Sequence, residues 1–258
     1  MKPERNFSID LTGDVAFVTG ASSGLGRRFA QVLASAGAAV AIAGRREDRL
    51  ETLADAIRSE GGKVLTVPLD VRDAGAIAPA IDQVERELGL INLLVNNAGI
   101  ADANWATKLS LQLADDVIDT NLRAPFLISC EVARRLMAAK RPGRIVNLSS
   151  SGAYQYSPNA AAALYSATKA GISRLTETLA MEWARFGINV NAIAPGLFRS
   201  EMSEGYLDRT GDKVIEALQR KRVGEPHHLD STLLYLVSPS SELVTGTCVL
   251  VDDAQTSR

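Results

Sequence analysis

Residues 14–33 read DVAFVTGASSGLGRRFAQVL, and this stretch decides the fold. Its first part, Val15–Thr19, is a short apolar run that predicts a buried β-strand. Glycines follow at Gly20, Gly24 and Gly26, and the apolar residues after them recur at helical spacing. A strand that turns through glycines into a helix N-terminus offers free backbone N–H groups and the positive end of the helix dipole to a phosphate. The stretch therefore predicts the phosphate-binding loop of an α/β domain.

Strand-like apolar runs and helical patterns alternate along the rest of the chain. Such alternation implies right-handed crossovers and a parallel sheet covered on both faces. We therefore expect an α/β, single-domain Rossmann fold over residues 1–258, a doubly wound parallel sheet of about seven strands with helices on both faces. The expected strands are Val15–Thr19, Ala39–Ala43, Lys63–Val67, Ile91–Val95, Arg144–Leu148, Ile188–Ile193 and Thr247–Val251. The expected helices include Arg49–Ser59, Ala74–Leu88, Leu113–Ala139, Leu164–Arg185 and His228–Val237.

Composition excludes several other classes of protein. The 258 residues carry 28 Lys and Arg against 30 Asp and Glu, so the net charge of −2 gives no reason to expect nucleic acid or an anionic membrane as a partner. No apolar run reaches the roughly 18 residues of a membrane helix. Cys130 and Cys248 lie far apart without metal-ligand spacing, which indicates a cytoplasmic protein with reduced thiols and no metal site.

Tyr165 and Lys169 stand four residues apart in the segment LYSATKAG (164–171). On a helix, residues at this spacing lie side by side on one face. A free phenol has a pKa of about 10, and a neighbouring cation lowers that value by favouring the phenolate. The pair therefore predicts a tyrosine that acts as a general acid or base, although the same spacing is common on solvated helix faces.

Seven ordered segments, taken together, make the chain resemble the short-chain dehydrogenase/reductase family, in its compact single-domain branch and similar to 3-oxoacyl reductases. They cover nearly the whole chain, from about residue 7 to 251. The segments are TGASSGLG (Thr19–Gly26), LDVRD (Leu69–Asp73), NNAG (Asn96–Gly99), NLRAPF (Asn121–Phe126), IVNLSS (Ile145–Ser150), YSATK (Tyr165–Lys169) and NAIAPG (Asn191–Gly196).

The resemblance implies a catalytic role for four residues. Tyr165 would exchange a proton with the substrate oxygen, Lys169 would lower the pKa of Tyr165 and hold the nicotinamide ribose, and Asn121 would position a relay water. Ser150 would bind the substrate oxygen, because the strand alignment of IVNLSS places it there. A count back from Tyr165 over the family's usual gap lands on a glycine, so a two-residue insertion within 153–163 is expected, and Ser151 is the second candidate.

The end of the second strand indicates the choice of cofactor. An acidic residue there binds the 2′-OH of NAD, whereas an arginine accommodates the 2′-phosphate of NADP. Gly44 takes the acidic place and Arg45 follows it, with Ser22 or Ser23 able to join the phosphate contact, so NADP(H) is favoured and NAD(H) remains possible. The alternative is that Arg45 and its neighbour Arg46 merely solvate the start of a helix and pair with the local carboxylates at positions 47 and 48.

The resemblance also implies a larger set of cofactor contacts. Among them, Asp70 would contact the adenine, Asn97-Ala98-Gly99 would lie along the adenosine ribose, and Ser200 would meet the nicotinamide carboxamide. The full set is Gly20, Ser22, Ser23, Gly24, Leu25, Gly26, Arg45, Arg46, Asp70, Val71, Asn97, Ala98, Gly99, Tyr165, Lys169, Pro195, Gly196 and Ser200.

The expected substrate is a small carbonyl or alcohol whose identity the sequence does not name. Residues 197–222 are expected to form a lid over it. The expected pocket residues are Ile100, Ala101, Asp102, Trp105, Gly152, Ala153, Tyr154, Gln155, Leu197, Phe198, Met202 and Tyr206. Two alternatives are an NAD(H)-dependent alcohol or polyol dehydrogenase and a non-catalytic cofactor sensor, which would usually lack the Tyr, Lys or Asn.

The family resemblance further implies a homotetramer. The two faces used for dimers would lie on the helices 113–139 and 164–185, and the last strand would complete the tetramer. The chain departs from the family pattern at the end of that strand. Many relatives have VDGG there, whereas this chain has Val251-Asp252-Asp253-Ala254. The departure bears on assembly and leaves the chemistry unchanged.

Overall fold

The computed structural model describes residues 9–102, 104–155 and 161–256. Within these ranges seven parallel strands form a sheet in the order β3-β2-β1-β4-β5-β6-β7. The strands β1 to β7 are Val15–Thr19, Ala39–Gly44, Val64–Pro68, Leu93–Asn96, Gly143–Leu148, Ile188–Pro195 and Cys248–Val251.

Helices connect the strands and cover both faces of the sheet. Helices α1 to α9 are Gly24–Ser35, Glu47–Ser59, Ala74–Glu87, Leu111–Ile118, Ala124–Ala139, Ala163–Trp183, Glu201–Thr210, Asp212–Ala217 and Asp230–Val237. Of the helices in the described ranges, none combines the length and the apolar character that crossing a membrane requires.

The core lies in two layers, one on each side of the sheet. Along β1, Ala16 and Val18 face the layer formed with α1, α2 and α9, whereas Val15 and Phe17 face the layer formed with α3, α5 and α6. This alternation follows from the two-residue period of a strand. The strand order changes direction between β1 and β4, so the two neighbouring loops separate at that point. A crevice beyond the carboxyl ends of these strands is the expected ligand site of such a sheet.

The sequence predicted all seven strands, with ends that differ by no more than two residues from those observed. The predicted helix 113–139 is wrong as a single element, because a π-helical turn at Asp119–Arg123 separates α4 from α5. Pro125, in the first turn of α5, lacks the N–H that a continuous α-helix would use there. The predicted helix 164–185 ends at Trp183, and α9 begins two residues later than predicted, after a 3₁₀ turn at Pro226–Leu229.

The segment after β7 has an unusual backbone. Asp253 and Ala254 have φ values of 52° and 60°, in the left-handed region where glycine carries no steric penalty. Relatives with VDGG have glycines at these two positions. Here the Asp252 carboxylate accepts hydrogen bonds from the N–H groups of Ala254 (3.2 Å) and Thr256 (3.1 Å), which hold the turn.

Candidate active site

A cleft of about 1640 Å³ runs along the carboxyl ends of the strands. All the pocket residues predicted from the sequence line it. Two predicted site residues, Gly26 and Asn121, do not. Those that do are Gly20, Ser22, Ser23, Gly24, Leu25, Arg45, Arg46, Asp70, Val71, Asn97, Ala98, Gly99, Ser150, Tyr165, Lys169, Pro195, Gly196 and Ser200.

The loop between β1 and α1 depends on its glycines. Gly20 and Gly24 have φ values of 66° and 54°, which other residues rarely adopt. A side chain on Gly26 would collide with the Gly20 carbonyl, so glycine allows α1 to begin close to β1. Ser23 at the N-cap makes no side-chain capping hydrogen bond, so it leaves the first-turn N–H groups available to an anion. These features fit the pyrophosphate of a dinucleotide.

The two arginines after β2 have different surroundings. The Arg46 guanidinium donates through Nη2 to Ser22 Oγ (2.9 Å) and to Ser23 Oγ (2.8 Å). Arg45 is exposed, and its charge helps to lower the pKa of Asp70. The sequence predicts that Arg45 meets the 2′-phosphate together with one of these serines. In the structure both arginines line the cleft, and Arg46 is the one bonded to the serines.

The carboxylate that pairs with Arg46 comes from the far side of the cleft. Arg46 Nη1 donates to Glu201 Oε2 (2.8 Å), and Arg49 binds the other oxygen of Glu201. The local carboxylates Glu47 and Asp48 form no ion pair in the described part of the chain, so the alternative of local pairing is wrong. Sequence reasoning missed Glu201 because it lies 155 residues from Arg46.

An arginine that sequence reasoning also missed holds Asp70. Arg72 donates through Nη2 to Asp70 Oδ2 (2.7 Å) and through Nε to Asp70 Oδ1 (3.1 Å). Its Nη1 donates to Asp116 Oδ1 on α4 (2.6 Å). The hydrogen bonds from Arg72 lower the pKa of Asp70. Arg72 is visible in the LDVRD segment, whereas no local pattern identifies Asp116 as its partner.

Tyr165 and Lys169 lie one turn apart on α6 and both line the cleft. Lys169 Nζ lies 5.7 Å from the centroid of the Tyr165 ring and donates to the Leu148 carbonyl at the end of β5 (2.7 Å). Lys169 is buried. The predicted pair is therefore formed, with the ammonium group fixed by the backbone of β5.

Burial changes the acid–base properties of both members of the pair. Burial raises the pKa of Tyr165, a hydrogen bond with Ser150 opposes this rise, and the charge of Asp102 adds to it. Burial lowers the pKa of Lys169 to about 8. That Lys169 lowers the pKa of Tyr165 stays a prediction. In the structure the ammonium donates its hydrogen bond to the Leu148 carbonyl.

The three serines after β5 have different partners. Ser149 Oγ donates to the Lys169 carbonyl (2.9 Å) and is buried. Ser150 Oγ accepts from the N–H two residues on (3.1 Å), and the Ser150 hydroxyl opposes the rise in the pKa of Tyr165. Ser151 begins a 3₁₀ turn. The geometry thus brings Ser150 together with Tyr165, while residues 156–160 of the expected insertion lie outside the described residues.

Asn121 is buried in the π-helical turn. Its Oδ1 accepts from the Ile100 N–H (2.9 Å), and its Nδ2 donates to the Ile100 carbonyl (2.8 Å). A Cβ atom on Gly99 would lie 3.4 Å from Asn121 Oδ1 and 3.5 Å from Lys169 Nζ, so both side chains border the same glycine. The amide of Asn121 therefore fixes the loop after β4 beside Lys169.

Asp102 fixes the start of the helix that carries the tyrosine. Its Oδ2 accepts hydrogen bonds from the N–H groups of Leu164 (3.0 Å) and Tyr165 (3.1 Å). The residue is only 3% exposed, and Oδ1 has no hydrogen-bond partner among the described residues. Sequence reasoning named Asp102 only as a pocket residue, because nothing local indicates a cap supplied from 62 residues upstream.

The expected lid, residues 197–222, contains α7 and α8. Ser200 is the N-cap of α7, and its Oγ accepts from the Ser203 N–H (3.3 Å). A Cβ atom on Gly24 would lie 3.2 Å from Ser200 Cβ, so α7 begins against the glycine loop. The hydroxyl that the resemblance assigns to the nicotinamide thus serves here as a helix cap.

Exposed ion pairs anchor both ends of the lid. At its start, Arg199 Nε lies 3.0 Å from Glu225 Oε1. At its end, Arg222 Nε lies 2.6 Å from Asp253 Oδ2, and Arg220 Nη1 lies 3.2 Å from Asp253 Oδ1. Asp253, which departs from VDGG, therefore supplies a carboxylate that pairs with the end of the expected lid.

The sequence was compared with protein families and with curated proteins, and both comparisons found similarity to dehydrogenases and reductases. The family model for short chain dehydrogenase matches residues 14–210. The 3-oxoacyl-(acyl-carrier-protein) reductase of Staphylococcus epidermidis is 36% identical over 239 residues, which cover 92% of this chain and 96% of that protein.

Solved structures extend the similarity to the whole fold. A short-chain type dehydrogenase/reductase from Mycobacterium marinum has a TM-score of 0.93 and 33% identity, and the match covers 96% of this chain and 98% of that one. A gluconate 5-dehydrogenase from Burkholderia cenocepacia, solved in complex with NADP and tartrate, has a TM-score of 0.90 and 32% identity. That match covers 97% of this chain and 98% of the other.

Proposed function

Because the chain belongs to the short-chain dehydrogenase/reductase family, whose members are NAD(P)-dependent oxidoreductases acting on CH–OH groups, we propose that it interconverts a small ketone or aldehyde and its alcohol with NADP(H). The observation that carries the proposal is the convergence of Ser150, Tyr165 and Lys169 in a cleft that also contains the glycine loop. A phenol, a hydroxyl and a buried ammonium at one place are the groups that proton transfer to a carbonyl oxygen requires.

Each residue has a distinct part in the proposed reaction. When bound, the nicotinamide supplies or accepts the hydride. Tyr165 donates its proton to the carbonyl oxygen in reduction, and Ser150 donates a hydrogen bond to the same oxygen. Lys169 holds the ribose hydroxyls and passes protons to the tyrosine.

Asn121 has a positioning role in this proposal. Its side-chain amide is bonded to Ile100, so a relay water beside Lys169 would be held by the backbone of the π-helical turn. The widened turn supports this role, because π-helical turns disturb the regular backbone hydrogen bonding and are frequent at functional sites.

The preference for NADP(H) has two supports. Nothing acidic ends β2, where Gly44 stands, so the carboxylate that would accept a hydrogen bond from the NAD 2′-OH is missing there. Arg46 with Ser22 and Ser23 instead forms a set of donors suited to a phosphate. The related gluconate 5-dehydrogenase from Burkholderia cenocepacia, whose structure contains NADP, is consistent with this choice.

The lining of the proposed substrate site favours a substrate that has an apolar part. Large apolar or aromatic side chains border the cleft, and Trp105, Tyr154 and Met202 are exposed. One relative is named as a 3-oxoacyl-(acyl-carrier-protein) reductase and another as a gluconate 5-dehydrogenase. We therefore propose to test carbonyl and alcohol substrates of both kinds. We also propose that the chain acts as one domain in the cytoplasm, with residues 197–222 as its lid.

A homotetramer completes the proposal. Support comes from exposed apolar side chains on the helices through which relatives pair. Met181 on α6 is 82% exposed and Phe126 on α5 is 42% exposed. Covering these two side chains with a second copy of the chain would remove their apolar surface from water.

The test is a screen for oxidation or reduction of the cofactor over a panel of ketones, aldehydes and alcohols. On a substrate so identified, Tyr165→Phe should lower kcat by about 10²- to 10⁴-fold, the usual contribution of general acid catalysis, and leave cofactor affinity nearly unchanged. Tyr235→Phe is the matched control, because Tyr235 lies on α9 and does not line the cleft. Retention of more than a tenth of the activity in Tyr165→Phe would refute the role of Tyr165.

A further inference from the structure

Glu201 occupies the place where the proposed cofactor site and the lid meet. It is the first residue of α7 and lines both the main cleft and a smaller one of about 430 Å³ beside the glycine loop. One carboxylate oxygen accepts from Arg46 and the other from Arg49. All three side chains are partly exposed. Arg46 and Glu201 border the main cleft, whereas Arg49 and Glu201 border the smaller one.

The groups around Glu201 are those that bind a phosphate. Arg46 simultaneously donates to the hydroxyls of Ser22 and Ser23 in the glycine loop. Two guanidinium groups therefore hold one anion, and one of them is also bonded to two hydroxyls. Guanidinium forks bind carboxylate and phosphate oxygens in the same way. In the structure that anion is the Glu201 carboxylate.

We propose that Glu201 is an internal competitor for the 2′-phosphate of NADP(H), and that a bound 2′-phosphate releases α7 by displacing Glu201 from Arg46 and Arg49. The inference rests on the proposed use of NADP(H). It adds a specificity-determining residue on the lid, far in sequence from the strand that selects the cofactor. A cofactor without the 2′-phosphate leaves the Glu201 pairs intact.

The physical reason is competition between like charges. A 2′-phosphate that reaches Arg46 brings negative charge next to the Glu201 carboxylate, and both cannot hold the same guanidinium hydrogen atoms. Partly exposed ion pairs are individually weak. A ligand that forms several charge-assisted hydrogen bonds can therefore displace the Glu201 carboxylate from the two arginines. The helix that is released also carries Met202 and Tyr206, which line the substrate end of the cleft. The 2′-phosphate would thus loosen the substrate lid.

The experiment compares two probes that differ only in the 2′-phosphate, adenosine 2′,5′-bisphosphate and adenosine 5′-monophosphate. Their dissociation constants are measured by calorimetry for the wild type, Glu201→Gln and Glu204→Gln. Glu204 lies in the same first turn of α7, borders the same smaller cleft and forms no ion pair among the described residues, so it controls for the loss of a negative charge there. We expect Glu201→Gln to bind the bisphosphate about two- to tenfold more tightly. Its affinity for the monophosphate, and both affinities of Glu204→Gln, should equal those of the wild type.

Hydrogen exchange of residues 201–210 gives a second readout. In the wild type the bisphosphate should raise exchange in α7 above the level found with the monophosphate, and in Glu201→Gln the two probes should give the same exchange. A Glu201→Gln variant that binds the bisphosphate no more tightly, or that binds both probes equally more tightly, would overturn the inference. If instead the wild type binds both probes equally and Arg46→Ala changes neither affinity, the proposed NADP(H) preference itself fails.

Discussion

We expect Arg46, one position beyond Arg45 in the chain, to help distinguish the two nicotinamide cofactors. Arg45 and Arg46 follow β2 directly, and only Arg46 reaches the serines of the glycine loop. A Cβ atom on Gly44 would lie 3.6 Å from Leu50 and from Ser22, an ordinary contact distance. Position 44 can therefore accept a side chain, and cofactor choice can be tested by substitution there.

Arg46→Ala should lower the ratio of kcat/KM for NADPH to that for NADH by about ten- to a hundredfold. The reason is that a charge-assisted hydrogen bond contributes roughly 1.5–3 kcal/mol. Arg45→Ala should lower the ratio less, since Arg45 does not contact the serines. Gly44→Asp should also shift the preference toward NADH, because a carboxylate there can accept from the ribose 2′-OH. Steady-state kinetics with both cofactors measures all three, and an unchanged ratio in Arg46→Ala would contradict the assignment.

Lys169 should make the free energy of unfolding depend on pH. Its pKa falls from 10.5 in the unfolded chain to about 8 in the folded one, so the unfolded chain binds more protons between these values and stability rises with pH there. Burial of the protonated amine therefore costs most below pH 8, on the order of 3 kcal/mol. Lys169→Met should remove this cost, so its advantage over the wild type should shrink as pH rises to 10.5. Urea unfolding at several pH values measures the difference in the free energy of unfolding between Lys169→Met and the wild type. A difference that does not change with pH would contradict the lowered pKa of Lys169.

At the level of helices and strands, the sequence predicts those features that depend on the local pattern of apolar residues. Buried parallel strands are continuous apolar runs, so β1 to β7 could be located from the sequence alone. The π-helical turn around Asn121 could not, because it changes the hydrogen-bond register without interrupting the apolar pattern. Contacts across the cleft, such as Asp102 with α6 and Glu201 with Arg46, depend on tertiary structure and have no local signal. The glycine loop, Tyr165 and Lys169 were predictable because their spacing itself carries the chemistry.

The cap on α6 should affect both stability and catalysis. Asp102→Ala leaves the N–H groups of Leu164 and Tyr165 without their acceptor, so the free energy of unfolding should fall by about 1–2 kcal/mol, and kcat should fall because the cap supports Tyr165 itself. Asp102→Asn keeps an acceptor oxygen and should retain most of the stability. It also removes the charge that raises the pKa of Tyr165, so the alkaline limb of the pH–rate profile should move to lower pH. Equal stability of the wild type and Asp102→Ala would show that the cap has no structural role.

At the level of the whole molecule, the exposed apolar side chains of α5 and α6 bear on assembly. Both helices also contribute to the core, so their outer faces are rigidly presented. A partner subunit that covers Phe126 and Met181 would remove this apolar surface from water, which is the main driving force of stable association. The sequence could not reveal which apolar residues lie outside, because that depends on how α5 and α6 pack.

Light scattering at micromolar concentration should give a tetramer for the wild type. Met181→Glu should give a smaller species, since a charge would be buried at the interface without a partner. Ser59→Glu adds the same charge at an exposed position of α2 and should leave the mass of the assembly unchanged. A monomeric wild type would contradict the assembly, and a stable wild-type dimer would point to the altered residues Asp252-Asp253-Ala254.

The ion pairs at the two ends of the proposed lid should make the activity sensitive to ionic strength. Arg199 with Glu225 and Arg222 with Asp253 are exposed, and the Debye length falls from about 10 Å at 0.1 M salt to about 3 Å at 1 M. Salt therefore weakens the anchors of the lid, while the buried contacts of Lys169 are screened much less. Michaelis constants should rise with added electrolyte at a nearly constant chemical step. Substrates and variants of this protein are comparable only in buffers of matched conductivity.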